Sequence, residues 1–290
     1  MDQILPPTEY EDLIRLIHDR FQGMSKTYQR IALYLTQNPN DVAVNSVNAT
    51  AERCGIHASS FVRFAQFLGY RGFKDLQVLF QRRLATAAPG FEARVRALES
   101  ELESRGDPSE LGFLRDLVVR DIASLEGLLR DTTPERLAHA ATVLEAAGVI
   151  YLVGQLRSAP VVEFLRYVLT MLGKKCLLLD ASGGLATHMA RAMTPKDALI
   201  AVSFRFYANE VVTITDAAAA ASVPIVAITD STLSPLAKSA DVLFSVPEHD
   251  YSFSRSLAAP MCLAQAMVVV LAARIQDNRS DPRIPTVTGQ

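Results

Sequence analysis

The sequence predicts an α-helical helix-turn-helix domain followed by a three-layer α/β/α domain with a five-stranded parallel sheet. Three observations predict this. Consecutive short amphipathic helices fill residues 10 to 85, with a glycine bend at Gly55. From Val149 onward, five short apolar runs alternate with stretches of helical spacing. Between the two regimes, Pro89-Gly90 and Gly106-Asp107-Pro108 break the pattern. A chain of 290 residues has room for two domains, and 49% hydrophobic with 21% charged residues is a globular composition. The expected division is a helix-turn-helix domain over 1–85, a helical linker over 86–132, an α/β domain over 133–277 and a polar tail over 278–290 that frays.

The helix-turn-helix reading rests on Asn48 to Gly69. A first helix runs to about Cys54, and Gly55 supplies the left-handed residue that ends it without a Cβ clash. A second helix begins near Ala58. Ala51 is small where the two helices must cross, and Ile56, Phe61, Phe64 and Leu68 share one face that faces a core. The opposite face carries Ser59, Ser60, Arg63 and Gln66, with His57 before it and Lys74 after it. Such side chains reach base edges and phosphates when a second helix enters the major groove N-terminus first. Charge agrees: between Met24 and Ala85 there are eight Lys or Arg against three Asp or Glu, although the whole chain is at -2. Phosphate attraction needs only the local field. The competing reading is a small helical bundle for protein contacts.

The second half reads as strands at Val149–Val153, Cys176–Leu179, Ala198–Val202, Pro224–Ile228 and Val242–Val246. Each is unbroken by polar alternation, as expected of strands buried on both faces. Helices are expected between them, as at Pro160–Leu172 and Asn209–Ala221. In open parallel sheets, ligands bind beyond the carboxyl ends of the strands. The residues there are Arg157 and Ser158 after the first strand, Ser182 after the second, Ser203, Arg205 and Tyr207 after the third, and Thr229 and Ser231 after the fourth. Hydroxyls and arginines on loops leading into helix N-termini suit a phosphate or carboxylate. For any one loop, Ser and Thr acting as helix N-caps is the plainer explanation.

Several classes are excluded. Gly154-Gln-Leu-Arg-Ser-Ala159 lacks the dinucleotide fingerprint, and there is no P-loop, so no cofactor is expected. Neither the five histidines nor Cys54, Cys176 and Cys262 show metal spacing, so no metal is expected, and scattered thiols fit a reducing cytoplasm. The acidic, proline-broken start lacks the features of a signal peptide. Leu257–Ile275 is apolar enough to suggest a membrane span, but Pro260 and Gln265 favour a buried closing helix of the α/β domain. No catalytic residue is expected. Glu163, His188 and Glu210 are the only acid–base candidates near the loops, without a matched pair.

Three blocks of the N-terminal half carry a family resemblance. They are Gln29–Leu35 with Asn38-Pro39, then Ala51–Ile56, then Ser60–Leu76, where "VRF…LGYxGFxDL" is the specific phrase. Gly154–Ser158 and Ala227–Ala237 carry it in the second half. Together they resemble the RpiR-type bacterial transcriptional regulators, which join a helix-turn-helix to a sugar isomerase (SIS) domain. The resemblance implies operator binding to double-stranded DNA, a sugar phosphate or related acidic metabolite as effector, and a homodimer or homotetramer. Carried over by position, it places Ser158, Ser203 and Ser231 at the ligand site, and Ser60 and Arg63 on the recognition helix. Two departures bear on the effector. The third loop, commonly SxSGxTxE, here runs Ser203-Phe-Arg-Phe-Tyr-Ala-Asn-Glu210, and Leu156 stands where glycine is common. These changes suit an acidic metabolite other than a standard hexose phosphate, or a site that has lost its ligand. The alternatives are a SIS-type sugar-phosphate isomerase and a non-catalytic oligomeric scaffold.

Overall fold

Six helices build the first domain in the computed structural model, which describes residues 6–85, 110–180, 182–205, 207–246 and 256–280. They are α1 (Tyr10–Arg20), α2 (Lys26–Gln37), α3 (Pro39–Val44), α4 (Val47–Cys54), α5 (Ala58–Phe67) and α6 (Phe73–Ala85). Local signals set their ends. The Ser25 and Ser46 hydroxyls accept the Tyr28 and Ala49 amides and cap α2 and α4, and Pro39 opens α3. Gly55, at φ 62° and ψ 38°, ends α4, with its amide donating to Glu52 O and that of Ile56 to Ala51 O. That is a Schellman ending, and only glycine adopts it without cost. Phe61, Phe64 and Leu68 are buried against Ile31 and Leu35 of α2 and Leu76 and Phe80 of α6. Phe61 meets Phe73 edge-on at 5.8 Å, and Phe64 meets Tyr28 at 5.3 Å. The apolar face predicted for the second helix is therefore the face that holds it.

The second domain holds α7 (Glu110–Asp131), α8 (Pro134–Ala146), β1 (Ile150–Val153), α9 (Ala159–Met171), β2 (Cys176–Leu178), α10 (Ala186–Ala190), β3 (Ala198–Val202), α11 (Asn209–Ala220), β4 (Ile225–Thr229), β5 (Val242–Ser245) and α12 (Ala258–Ser280). The sheet is wholly parallel in the order β2-β1-β3-β4-β5. Alternate residues of each strand point to opposite faces. Ile150, Leu152, Ile200, Val202, Val226 and Ile228 pack beneath α8, α9 and α12. Tyr151, Val153, Leu199, Ala201, Ile225 and Ala227 pack on the α10 and α11 side. Chain order reverses between β1 and β3, which opens a crevice beyond their carboxyl ends.

Three expectations are corrected. β2 and β5 are edge strands with partial or alternating burial, whereas β1, β3 and β4 are buried on both faces. The short apolar runs alone do not separate edge from centre, because neighbours decide it. No helix follows β4; the chain crosses to β5 through consecutive turns. The α12 helix, long and apolar enough to cross a membrane, is not buried all round. It seats Ala259, Leu263, Ala264, Met267 and Leu271 in the α/β core, while Val269 on its other side is exposed. Half of the stretch expected as a linker lies outside the described residues. The other half, α7, packs on α12 and places Leu128 in the same core.

Candidate functional sites

The candidate DNA-reading face is built by α5. His57 sits at its N-cap position, and Ser59, Arg63, Gln66 and, at the start of α6, Lys74 are exposed. Ser60 is half-buried. His57, Ser59 and Ser60 lie at the start of α5, Arg63 and Gln66 further along it, and the opposite side of the helix is locked in the aromatic core. The local positive excess is smaller in effect than the sequence suggests. Arg53 is paired with Asp41 at 2.5 Å, Arg30 donates to Cys54 O at 2.9 Å, and Arg83 is turned toward the second domain. Arg63, Arg71 and Lys74 remain exposed on and just after α5.

The candidate effector site lies at the carboxyl edge of the sheet, where Asp230 is the hub. Its carboxylate accepts the Arg205 amide at 2.9 Å, the Tyr207 hydroxyl at 2.7 Å and the Thr229 hydroxyl at 3.3 Å. The Tyr207 phenol is held far above its ordinary range by burial and by the adjacent Asp230, so it remains a donor. The Ser231 hydroxyl accepts the Leu233 amide at 2.9 Å. Arg205, Tyr207, Asp230 and Ser231 line a cleft whose other wall is Ile14, Arg15, His18 and Asp19 of α1. His18 Nε2 is hydrogen-bonded to Ser231 Oγ. Thus three of the eight residues expected at the effector site line this cleft.

The others stand elsewhere. Ser158, Ser203 and Thr229 are buried at the strand ends, outside the cleft lining. Arg157 stacks on the Phe204 ring at 4.8 Å and donates to Ser256 O at 3.2 Å, so it serves the loop rather than the cleft. The Ser182 side chain lies outside the described residues. Three acid–base candidates also have structural places. Glu163 pairs with Arg166 at 2.8 Å on the surface of α9, and His188 is exposed on α10. Glu210 accepts Gln155 at 2.6 Å and Thr187 at 3.1 Å, tying the loop after β1 to the helices beside it. Sequence reasoning missed the role of Asp230 and all four α1 residues. No local signal marks them, because an early helix and a late loop meet only in the folded chain.

The loop after β1 shows why glycine is common in its place. A Cβ at Gly154 would come within 2.8 Å of Val162 Cγ1 and 3.2 Å of the Ser158 and Val202 carbonyls. Two residues on, Leu156 has φ 55°, a left-handed conformation that a side chain resists. Leu156→Gly is therefore expected to raise stability by about 0.5–1 kcal/mol, part of the released strain being offset by the freer unfolded chain. Urea unfolding of the two proteins checks this; a loss of stability would show that the Leu156 side chain contributes more than its backbone costs.

The His18 contact also sets a pH dependence. The residue keeps solvent exposure, but desolvation at the contact lowers its pKa below 6.5, Asp230 and Asp19 raising it and Arg205 lowering it. A histidine whose docked pKa is depressed loses docking energy as pH falls below the undocked value. The contact between α1 and the loop after β4 is expected to hold above about pH 6.5 and to loosen below it, read as faster amide exchange in α1. Slower exchange on acidification would reverse the assignment.

Comparison with known proteins fits both halves. Residues 11–87 match the helix-turn-helix domain of the rpiR family, and residues 144–273 match the SIS domain. The chain is 28% identical over 257 residues to the HTH-type transcriptional regulator YfhH of Escherichia coli K12, covering 88% of each. The sugar isomerase domain of an RpiR transcription factor from Sphaerobacter thermophilus superposes with a TM-score of 0.53 at 28% identity, covering 56% of this chain and 90% of that one. Vibrio vulnificus NanR, solved with ManNAc-6P, shares the fold at a TM-score of 0.52 and 20% identity, covering 91% of each chain. The chain thus joins a helix-turn-helix domain of the rpiR family to a SIS domain, and in this it resembles helix-turn-helix transcriptional regulators.

Proposed function

We propose that this chain is a cytoplasmic regulator that binds a double-stranded operator through α5 and is controlled by a phosphorylated sugar or related acidic metabolite at the carboxyl edge of its sheet. One observation carries the reading. α5 buries Phe61 and Phe64 while exposing Ser59, Arg63 and Gln66, so the side chains able to read bases are the ones left to solvent. The effector half is supported by the hydroxyls and the Arg205 guanidinium gathered past β3 and β4, and by the phosphosugar on the similarly folded NanR. A catalytic role is disfavoured, since Glu163 and Glu210 are engaged by neighbouring donors and His188 lies apart on the surface.

The division proposed is a DNA-binding domain over 1–85, a connecting stretch over 86–132 whose α7 buttresses the second domain, an effector domain over 133–277 and a tail over 278–290. A homodimer or homotetramer is proposed, with Val118, Val119, Ile122 and Leu129 of α7 as the exposed apolar surface that a second copy would cover.

Selection of bound fragments from genomic DNA is expected to recover a preferred sequence, with affinity falling steeply as salt rises because binding releases counterions. Recovery of no preferred sequence would remove the operator half of the proposal. Thermal-shift screening of sugar phosphates and sugar acids is expected to find at least one compound that raises Tm. A flat response to all of them would remove the effector half.

A further inference from the structure

The two domains touch where the effector is proposed to bind. His18 of α1 occupies the Ser231 hydroxyl. Arg83 of α6 donates to the Tyr207 carbonyl at 2.7 Å while holding Asn40 at 2.8 Å. Lys238, beyond β4, reaches Asn38 at 2.9 Å. The first two contacts run from the DNA-binding domain to the carboxyl side of the sheet, and the third runs to the crossover between β4 and β5, where Lys238 also pairs with Asp216 of α11. With α1 seated, Ser231 is 6% exposed and Arg205 8% exposed. The cleft that remains is about 130 Å³. Sites that enclose small organic ligands usually measure roughly 300–1,000 Å³. Inorganic phosphate fits such a space, but a phosphosugar that also reads Ser231 and Tyr207 does not.

We propose that α1 is a plug on the effector site, so that seating of α1 and binding of a phosphosugar at Arg205 and Ser231 exclude each other. This rests on the effector reading given above. The seated state has the helix-turn-helix domain held against the sheet by His18, Arg83 and Lys238. Binding of the effector takes the Ser231 hydroxyl from His18 and the Arg205 side from the α1 wall, and so frees the DNA-binding domain from its fixed orientation. Because only the unseated fraction can bind, the measured affinity is lower than the intrinsic one by that fraction, and anything that loosens α1 tightens effector binding. The same coupling acts in reverse, since a bound effector must loosen α1.

The test uses the full-length protein and two variants, His18→Ala, which removes the contact, and His18→Asp, which sets a carboxylate against Asp230. N-acetylmannosamine 6-phosphate, glucose 6-phosphate and inorganic phosphate are the probes, titrated by calorimetry, with amide exchange followed in parallel. Slow exchange in α4, α5 and β1 to β4 establishes that the variants are folded. Both variants are expected to exchange faster in α1 and to bind a phosphosugar at least about fivefold more tightly than the parent protein. Saturating phosphosugar is expected to speed α1 exchange in the parent. Equal or weaker phosphosugar binding by both variants, or protection of α1 by the phosphosugar, overturns the plug while leaving the effector reading intact. Binding of neither phosphosugar to any of the three proteins overturns the effector reading, and the plug with it.

Discussion

Arg63→Ala is expected to weaken operator binding by about ten- to a hundredfold, the equivalent of roughly 1–3 kcal/mol for a base-edge contact. Arg63 lies on α5 between the buried Phe61 and Phe64, and its own side chain is exposed. Removing it takes nothing from the core, so Tm should stay within about a degree, surface changes of this kind being near neutral. Two measurements separate its possible roles. A base contact relaxes specificity at one operator position, whereas a phosphate contact weakens all sequences alike and lowers the salt slope by about one. Affinity unchanged at every salt concentration would remove Arg63 from the interface.

Phe61→Ala is expected to destabilise the first domain by about 3–5 kcal/mol, the usual cost of emptying a large aromatic site in a core. Phe61 is 0% exposed and packs edge-on against Phe73, at the point where α5 meets α6. A domain of this size has about 5–15 kcal/mol in total, so the change takes a large share of it. The cores of the two domains are separate clusters. Calorimetry is therefore expected to show an early transition that moves down by many degrees and a later one that stays in place. Operator binding should vanish with the early transition. A single transition lowered as a whole would mean that the domains unfold together and that the contacts at His18, Arg83 and Lys238 are stronger than their number suggests.

The two predictions differ in how far the sequence alone could support them. Phe61, Phe64 and Leu68 recur at helical spacing, and Gly55 stands where a left-handed residue must end a helix. Both signals act within a few residues, through side-chain periodicity and backbone sterics, and both were legible. The five strands were legible for the same reason, to within about one residue at each end. Edge and centre were not. Cys176–Leu178 is as apolar as Ala198–Val202, and only the strand order puts the first at the margin.

Sequence by itself determined the two domain types and the helix after Gly55 that keeps Ser59, Arg63 and Gln66 on its exposed face. Tertiary structure alone decided which loop residues meet, making Asp230 the hub for Arg205, Tyr207 and Thr229 and sending Arg157 to Phe204. It also brought His18 to Ser231 across 213 positions of chain. The physical reason is range. Helix ends, faces and turns are fixed by neighbours a few residues apart, and they leave a periodic trace. A contact between distant segments depends on how the intervening elements pack, and no short pattern of residues records it.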